Sequence, residues 1–147
     1  PTMTVLDNVL ASTSGLWGEN PVLAVFARTA VVRQERQAHT RALENLAAVG
    51  MADRAHSSCD MLSVGQMKRV ALARLLQMEA SLLLLDEPMA GLDAGAAASL
   101  AVDLGRLRDA GKTILVVEHR AAALVDVADR VWHLGNGRIT EIEGRRA

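Results

Sequence analysis

Four consecutive leucines at positions 82–85 run directly into two carboxylates, Asp86 and Glu87. A run this short and this apolar does not alternate, so it reads as a strand buried on both faces of a parallel sheet. In open α/β sheets ligands collect at the carboxyl ends of the strands, which is where the acid pair emerges. One helix upstream, Leu62, Ser63, Val64, Gly65 and Gln66 spell a helix start. Ser63 as N-cap with Gln66 three residues on forms a capping box that fixes the first turn and leaves backbone N–H groups aimed outward. Such a terminus attracts anions, phosphate above all. The rest of the chain is organised around this stretch, residues 62–93.

The chain has 147 residues, half of them hydrophobic, enough for one compact domain or two small lobes. Its net charge is −1, with Lys and Arg scattered through the sequence, which argues against nucleic acid as the main partner. Trp17, Phe26 and Trp132 are the only aromatic residues of the Phe, Trp and Tyr set, too few for base-stacking platforms. No apolar run approaches the roughly 18 to 20 residues of a membrane span, and no basic segment precedes an apolar one as in a signal peptide. The lone cysteine, Cys59, fits a reducing compartment. His56 lies near it, but no second pair at ligand spacing accompanies them, so both read as solvated loop residues.

Residues 4–10 are predicted to form a short helix capped by Thr4, followed by a Ser-, Gly- and Asn-rich loop over 12–21. Helical spacing then runs over 22–49, with Leu43, Leu46 and Ala47 on one side, until Gly50. A polar connector over 51–61 leads to the capped helix, which is expected to turn Ala71, Leu72, Leu75 and Leu76 inward and to end near Met78. After the leucine strand, Pro88 cannot join a sheet ladder and turns the chain away. Asp93 is placed to cap a helix over 94–110 with Ala97, Leu100, Ala101, Leu104 and Leu107 as its apolar stripe. Gly111 suits a left-handed stop. A second buried strand is predicted over 113–117 with Glu118 and His119 at its tip, then a helix over 121–128 and a hairpin turning at Asn136-Gly137.

Adjacent carboxylates at a strand tip suit metal-assisted phosphoryl chemistry. Asp86 can hold Mg²⁺, which keeps most of its waters and needs few protein ligands, while Glu87 can orient and deprotonate an attacking water. His119 at the neighbouring strand tip is placed to contact a γ-phosphate. Gly111-Lys112-Thr113 imitates a phosphate loop. The pattern G-x-x-x-x-G-K-S/T would put its first glycine at 106, which is Arg106, and the context is reversed, helix before and strand after. It reads as a helix stop.

These residues resemble the nucleotide-binding subunit of ABC transporters. Leu62 to Gln66 is similar to the signature L-S-G-G-Q with Val64 at its third place. Leu82 to Glu87 matches the Walker B strand with its catalytic Glu, Ala90 to Asp93 the D-loop, and His119 the switch histidine. The likeness extends from Thr4 to Ile142. Thr4 to Asn8, the long helical insert and the wording around Ser63 are similar to the ATPases of branched-chain amino acid importers.

The resemblance implies an α/β fold: a partial P-loop NTPase (RecA-like) core with parallel strands plus an α-helical subdomain. Residues 1–78 would be the helical subdomain with the signature helix, and 79–147 the carboxyl-terminal half of the ATPase core. It implies ATP and Mg²⁺, with Ser63, Val64, Gly65, Gln66 and Asp93 as the nucleotide-binding set. Ser63 and Gly65 would touch the γ-phosphate held by a partner subunit, Gly65 approaching closely because it has no Cβ. Asp86 would support Mg²⁺, Glu87 would be the general base, His119 would sense the γ-phosphate, and Asp93 would couple the two sites of a homo- or heterodimer. Further expected partners are membrane permease subunits, docked on the helical lobe, and indirectly a solute-binding protein, with the chain peripheral on the cytoplasmic face of the membrane.

The family's base-stacking aromatic, phosphate loop and glutamine hinge would all lie before Pro1. The polypeptide alone is therefore expected neither to bind ATP tightly nor to hydrolyse it. Two functions follow: the ATPase subunit of an importer, or a non-catalytic split half that needs another chain for the phosphate loop. A reading frame continuing upstream into the phosphate loop separates the first from the second. A DNA-repair or chromosome-organising ATPase is disfavoured because the insert has no long heptad run.

Overall fold

The computed structural model describes residues 3–13, 28–119 and 122–144. Most of the predicted 12–21 loop, the first six residues of the predicted 22–49 helix, Trp17, Phe26 and Ala121 lie outside them. The chain is α/β and divides into two compact units, Pro1–Ala80 and Ser81–Ala147.

The first unit is helical. Helix α1, Val5–Leu10, begins at a capping box in which the Asp7 N–H donates to Thr4 Oγ1 at 3.1 Å and the Thr4 N–H to Asp7 Oδ2 at 3.4 Å. It buries Val5, Leu6 and Val9. Helix α2 runs over Arg28–Ala48, with Val31, Ala38, Ala42 and Leu46 on the buried side, and Gly50 at φ +67° closes it in the left-handed conformation. The polar connector holds two 3₁₀ turns, Ala52–Arg54 and Cys59–Met61.

Helix α3, Val64–Gln77, packs against both α1 and α2. Its buried face is Val70, Leu72, Ala73, Leu76 and Gln77, and Ala71, expected inside, is exposed. At 100° per residue Ala71 lies opposite the centre of that face. Gln77 is 1% exposed and fully engaged. Its Nε2 donates to Thr13 Oγ1 at 2.8 Å and to the Ala38 carbonyl at 3.1 Å, while its Oε1 accepts from Asn45 Nδ2 at 2.9 Å.

The second unit holds a parallel pair, β1 (Leu82–Asp86) and β2 (Thr113–Val117), in register from Leu82 opposite Thr113 to Asp86 opposite Val117. Between them runs α4, Ala94–Asp109, which buries Leu100, Ala101, Leu104 and Leu107 and ends before Gly111 at φ +89°. The prediction of strands buried on both faces requires correction. Leu83 is 1% exposed, but Leu82 and Leu84 are 50% and 66% exposed, and Leu115 and Val117 on β2 are 48% and 56% exposed. Alternation sends these four side chains to one face, and among the described residues no second layer covers it.

Helix α5 is Ala122–Val125, shorter than expected. The N–H groups of Val127 and Ala128 both return to the Leu124 carbonyl, which closes the last turn, and Arg108 donates to the Val127 carbonyl just beyond it. Strands β3 (Arg130–Gly135) and β4 (Arg138–Gly144) form the expected hairpin, with Asn136 and Gly137 at φ +51° and +72°.

Candidate functional site

In the helical unit the candidate feature is the start of α3. Ser63, in extended backbone at φ −67°, ψ 162°, accepts the Gln66 N–H on its Oγ at 3.3 Å, and Gln66 Oε1 accepts the Ser63 N–H at 3.0 Å. Both polar side chains of the motif are thus spent on holding the helix tip. The N–H groups of Val64 and Gly65 lie in the first turn, where no intrahelical carbonyl is available to them, at the positive end of the helix dipole. Val64 presents a half-exposed side chain beside them. The tip offers a phosphate chiefly backbone donors, with Gln66 acting through the fold of the turn.

In the other unit the candidate site is the tip of β1. Asp86 is the last strand residue, opposite Val117, and is exposed. The ladder continues one step further, because the Glu87 N–H donates to the Val117 carbonyl at 2.9 Å. Glu87 then adopts φ +44°, a left-handed conformation that few non-glycine residues take. Its Oε1 lies 2.9 Å from His119 Nε2. Pro88 has no N–H, and the next donor, the Met89 N–H, goes to Glu118 Oε1 at 2.6 Å. Donation from Ala90 N–H to the Glu87 carbonyl at 3.1 Å, and from Leu92 N–H to the Met89 carbonyl at 3.1 Å, carries the chain through two turns to Asp93. Asp93 accepts the Ala96 N–H at 2.8 Å and caps α4.

The structure therefore brings Glu87 and His119 into contact and sets Asp86 one residue before them, with Asp93 in the loop that leaves the same strand. Ser63, Val64, Gly65 and Gln66 belong to the helical unit. Among the described residues no group of three or more His, Cys, Asp or Glu is assembled as a metal cage. One exposed carboxylate at Asp86 fits Mg²⁺, which binds through one or two carboxylates and takes its remaining ligands from water and phosphate. The sequence reading sets Glu118 at the strand tip without a partner and does not single out Gln77, whereas the structure gives both of them specific bonds. Pro88 carries a signal for the first: a missing donor there makes Met89 the next N–H in need of an acceptor.

A profile of the ABC transporter family matches residues 1–90. The aliphatic sulfonates import ATP-binding protein SsuB of Pseudomonas entomophila is 40% identical over 140 residues, covering 95% of this chain and 44% of that protein. The L-cystine transport system ATP-binding protein TcyN of Escherichia coli is 35% identical over 141 residues, covering 96% of this chain and 51% of that protein. An ATP-binding cassette of an ABC transporter, solved in its ADP conformation, superposes with a TM-score of 0.76 at 28% identity, over 98% of this chain and 56% of that one. The chain thus spans about half the length of the curated relatives it matches. With the capped helix start, the acid pair at a parallel strand tip and the histidine against it all on one ABC ATPase fold, this chain belongs to the ABC transporter family.

Proposed function

We propose that the chain supplies the signature helix and the hydrolytic half of an ATPase that powers a membrane importer. The observation that carries this is Glu87 held at the end of β1 with its carboxylate 2.9 Å from the His119 imidazole. In this reading Glu87 accepts a proton from the attacking water, whose oxygen bonds to the γ-phosphorus as the bond to the β,γ-bridging oxygen breaks, releasing ADP and phosphate. His119 orients Glu87 and contacts the γ-phosphate. Asp86 would hold Mg²⁺, which when bound would neutralise negative charge on the phosphates. The α3 tip, Ser63 to Gln66, closes on ATP carried by a second ATP-binding subunit, and Asp93 couples the two sites.

Residues 1–78 would serve as the helical subdomain that docks permease subunits on the cytoplasmic face of the membrane, with 79–147 as the hydrolytic portion. A solute-binding protein would take part indirectly. Among the described residues no helix is long and apolar enough to cross a membrane, which accords with peripheral attachment. The phosphate loop is not among the 147 residues, so turnover would require a further polypeptide segment. The uncovered face of β1 and β2 supports the companion reading, that the chain acts as a split half joined to another chain.

For the solute, the wording of Thr4 to Asn8 and around Ser63 supports branched-chain amino acids. The relatives named for sulfonates and L-cystine mark the competing solutes. The ATPase reading is tested by joining the phosphate-loop half of the sulfonate relative ahead of Pro1 and measuring phosphate release. Turnover that vanishes with Glu87→Gln supports it. A folded chimera that binds ATP without turning it over, or one in which Glu87→Gln is as fast as the parent, overturns it.

A further inference from the structure

We propose that Glu118 is a positioning residue that locks the Glu87 turn by capturing the Met89 N–H; the catalytic part of this inference rests on the ATPase reading above. The need for a lock follows from local chemistry. Glu87 sits at φ +44°, a conformation that costs an L-residue energy and persists only when its surroundings enforce it. On its amino side the enforcement is the ladder bond from the Glu87 N–H to the Val117 carbonyl, at 2.9 Å. On its carboxyl side Pro88 can donate nothing, so the first group able to anchor the turn is the Met89 N–H.

That N–H donates to Glu118 Oε1 at 2.6 Å. Glu118 directly follows Val117 on β2, and His119 follows Glu118. Three consecutive residues of one strand end therefore address one turn: the Val117 carbonyl takes the Glu87 N–H, the Glu118 carboxylate takes the Met89 N–H, and His119 faces the Glu87 carboxylate at 2.9 Å. Met89 is itself 6% exposed, so its side chain is anchored while its N–H is held. Without the Glu118 contact the exit of the turn keeps only the Ala90 N–H bond to the Glu87 carbonyl at 3.1 Å and the buried Met89 side chain, and the Glu87 carboxylate loses its registration against His119. Glu118 touches no reacting atom in this scheme and acts through the backbone of Met89.

The test uses the isotope-labelled chain and reads hydrogen exchange at single amides. Loss of an ionic acceptor predicts that Met89 exchanges at least about tenfold faster in Glu118→Ala, while Glu118→Gln, which keeps a carbonyl oxygen in place, stays within about twofold of the parent. Amides inside β1 and α4 should not change. Unaltered Met89 exchange in Glu118→Ala overturns the proposal. If that variant fails to fold, Glu118→Asp decides the matter in its place, because it keeps the charge but withdraws the oxygen by one methylene and should release Met89. In the chimera described above, Glu118→Ala should lower kcat by about tenfold with little change in the KM for ATP, and Glu118→Gln should restore it. Equal kcat in parent and Glu118→Ala overturns the positioning role. An inactive parent chimera counts against the ATPase reading alone and leaves the exchange data to decide on the lock.

Discussion

Glu87 has to satisfy two demands at once, a left-handed backbone and a carboxylate aimed at His119. Exchanging it for Gln keeps the shape and the hydrogen-bonding oxygen but removes the proton acceptor, so a complete ATPase carrying Glu87→Gln should retain ATP and lose about 10² to 10⁴ in kcat, measured as phosphate release at saturating nucleotide. Cys59 gives a prediction in the other unit. Burial, with the Asp60 and Asp7 carboxylates nearby, raises its pKa above the ordinary cysteine value, because each effect disfavours the thiolate. A raised pKa means less thiolate at neutral pH. Alkylation by iodoacetamide at pH 7.5 should therefore be slower than for free cysteine and should climb with pH to a midpoint above it. Asp60→Asn should shift that midpoint down, and an alkylation rate equal to that of free cysteine would refute the assignment.

The elements show which parts of the fold can be read locally. Capping is written within four residues, so Thr4, Ser63 and Asp93 declare themselves, and all three accept the N–H group that such caps require. The Asn136-Gly137 turn is legible for the same reason. Gln77 is not. Its partners Thr13, Ala38 and Asn45 lie 64, 39 and 32 residues away, and a buried glutamine at the end of a helix looks like any surface residue until those partners are in place. The end of α5 is hard to read for a related reason: the Val127 and Ala128 N–H groups share the Leu124 carbonyl, and the segment after it is held by Arg108, 19 residues upstream of Val127. Two measurements follow. Ser63→Ala should cost about 1 kcal/mol of unfolding free energy in urea, with Ser63→Thr close to the parent. Gln77→Leu should cost about 1 to 3 kcal/mol, since it leaves Asn45, Thr13 and the Ala38 carbonyl short of a partner in a buried site. An unchanged midpoint in Gln77→Leu would mean that the network is ornamental.

The carboxyl-terminal unit as a whole shows why a run of leucines does not by itself report how much of a strand will be covered. Composition told of a strand meant for burial on both faces, yet one face of β1 and β2 carries Leu82, Leu84, Leu115 and Val117 with half or more of each surface in water, save Leu115 at 48%. What decides coverage is the second layer, and that is a property of the assembled sheet, outside the reach of any five-residue window. A two-stranded parallel pair has little independent stability, and an apolar face on it is a site for further association. The purified chain should therefore bind a hydrophobic dye and gain mass with concentration in sedimentation experiments. Leu84→Lys with Leu115→Glu, opposite charges on directly paired positions, should abolish both, at a stability change within about 0.5 kcal/mol because the replaced side chains already face solvent. If instead this face is normally closed by the phosphate-loop half of the ATPase, adding that half as a separate polypeptide should displace the dye from the parent chain and not from the double variant. A chain that stays monomeric and dye-free at high concentration would show that the leucine face is not sticky, and the argument for a missing second layer would fall with it.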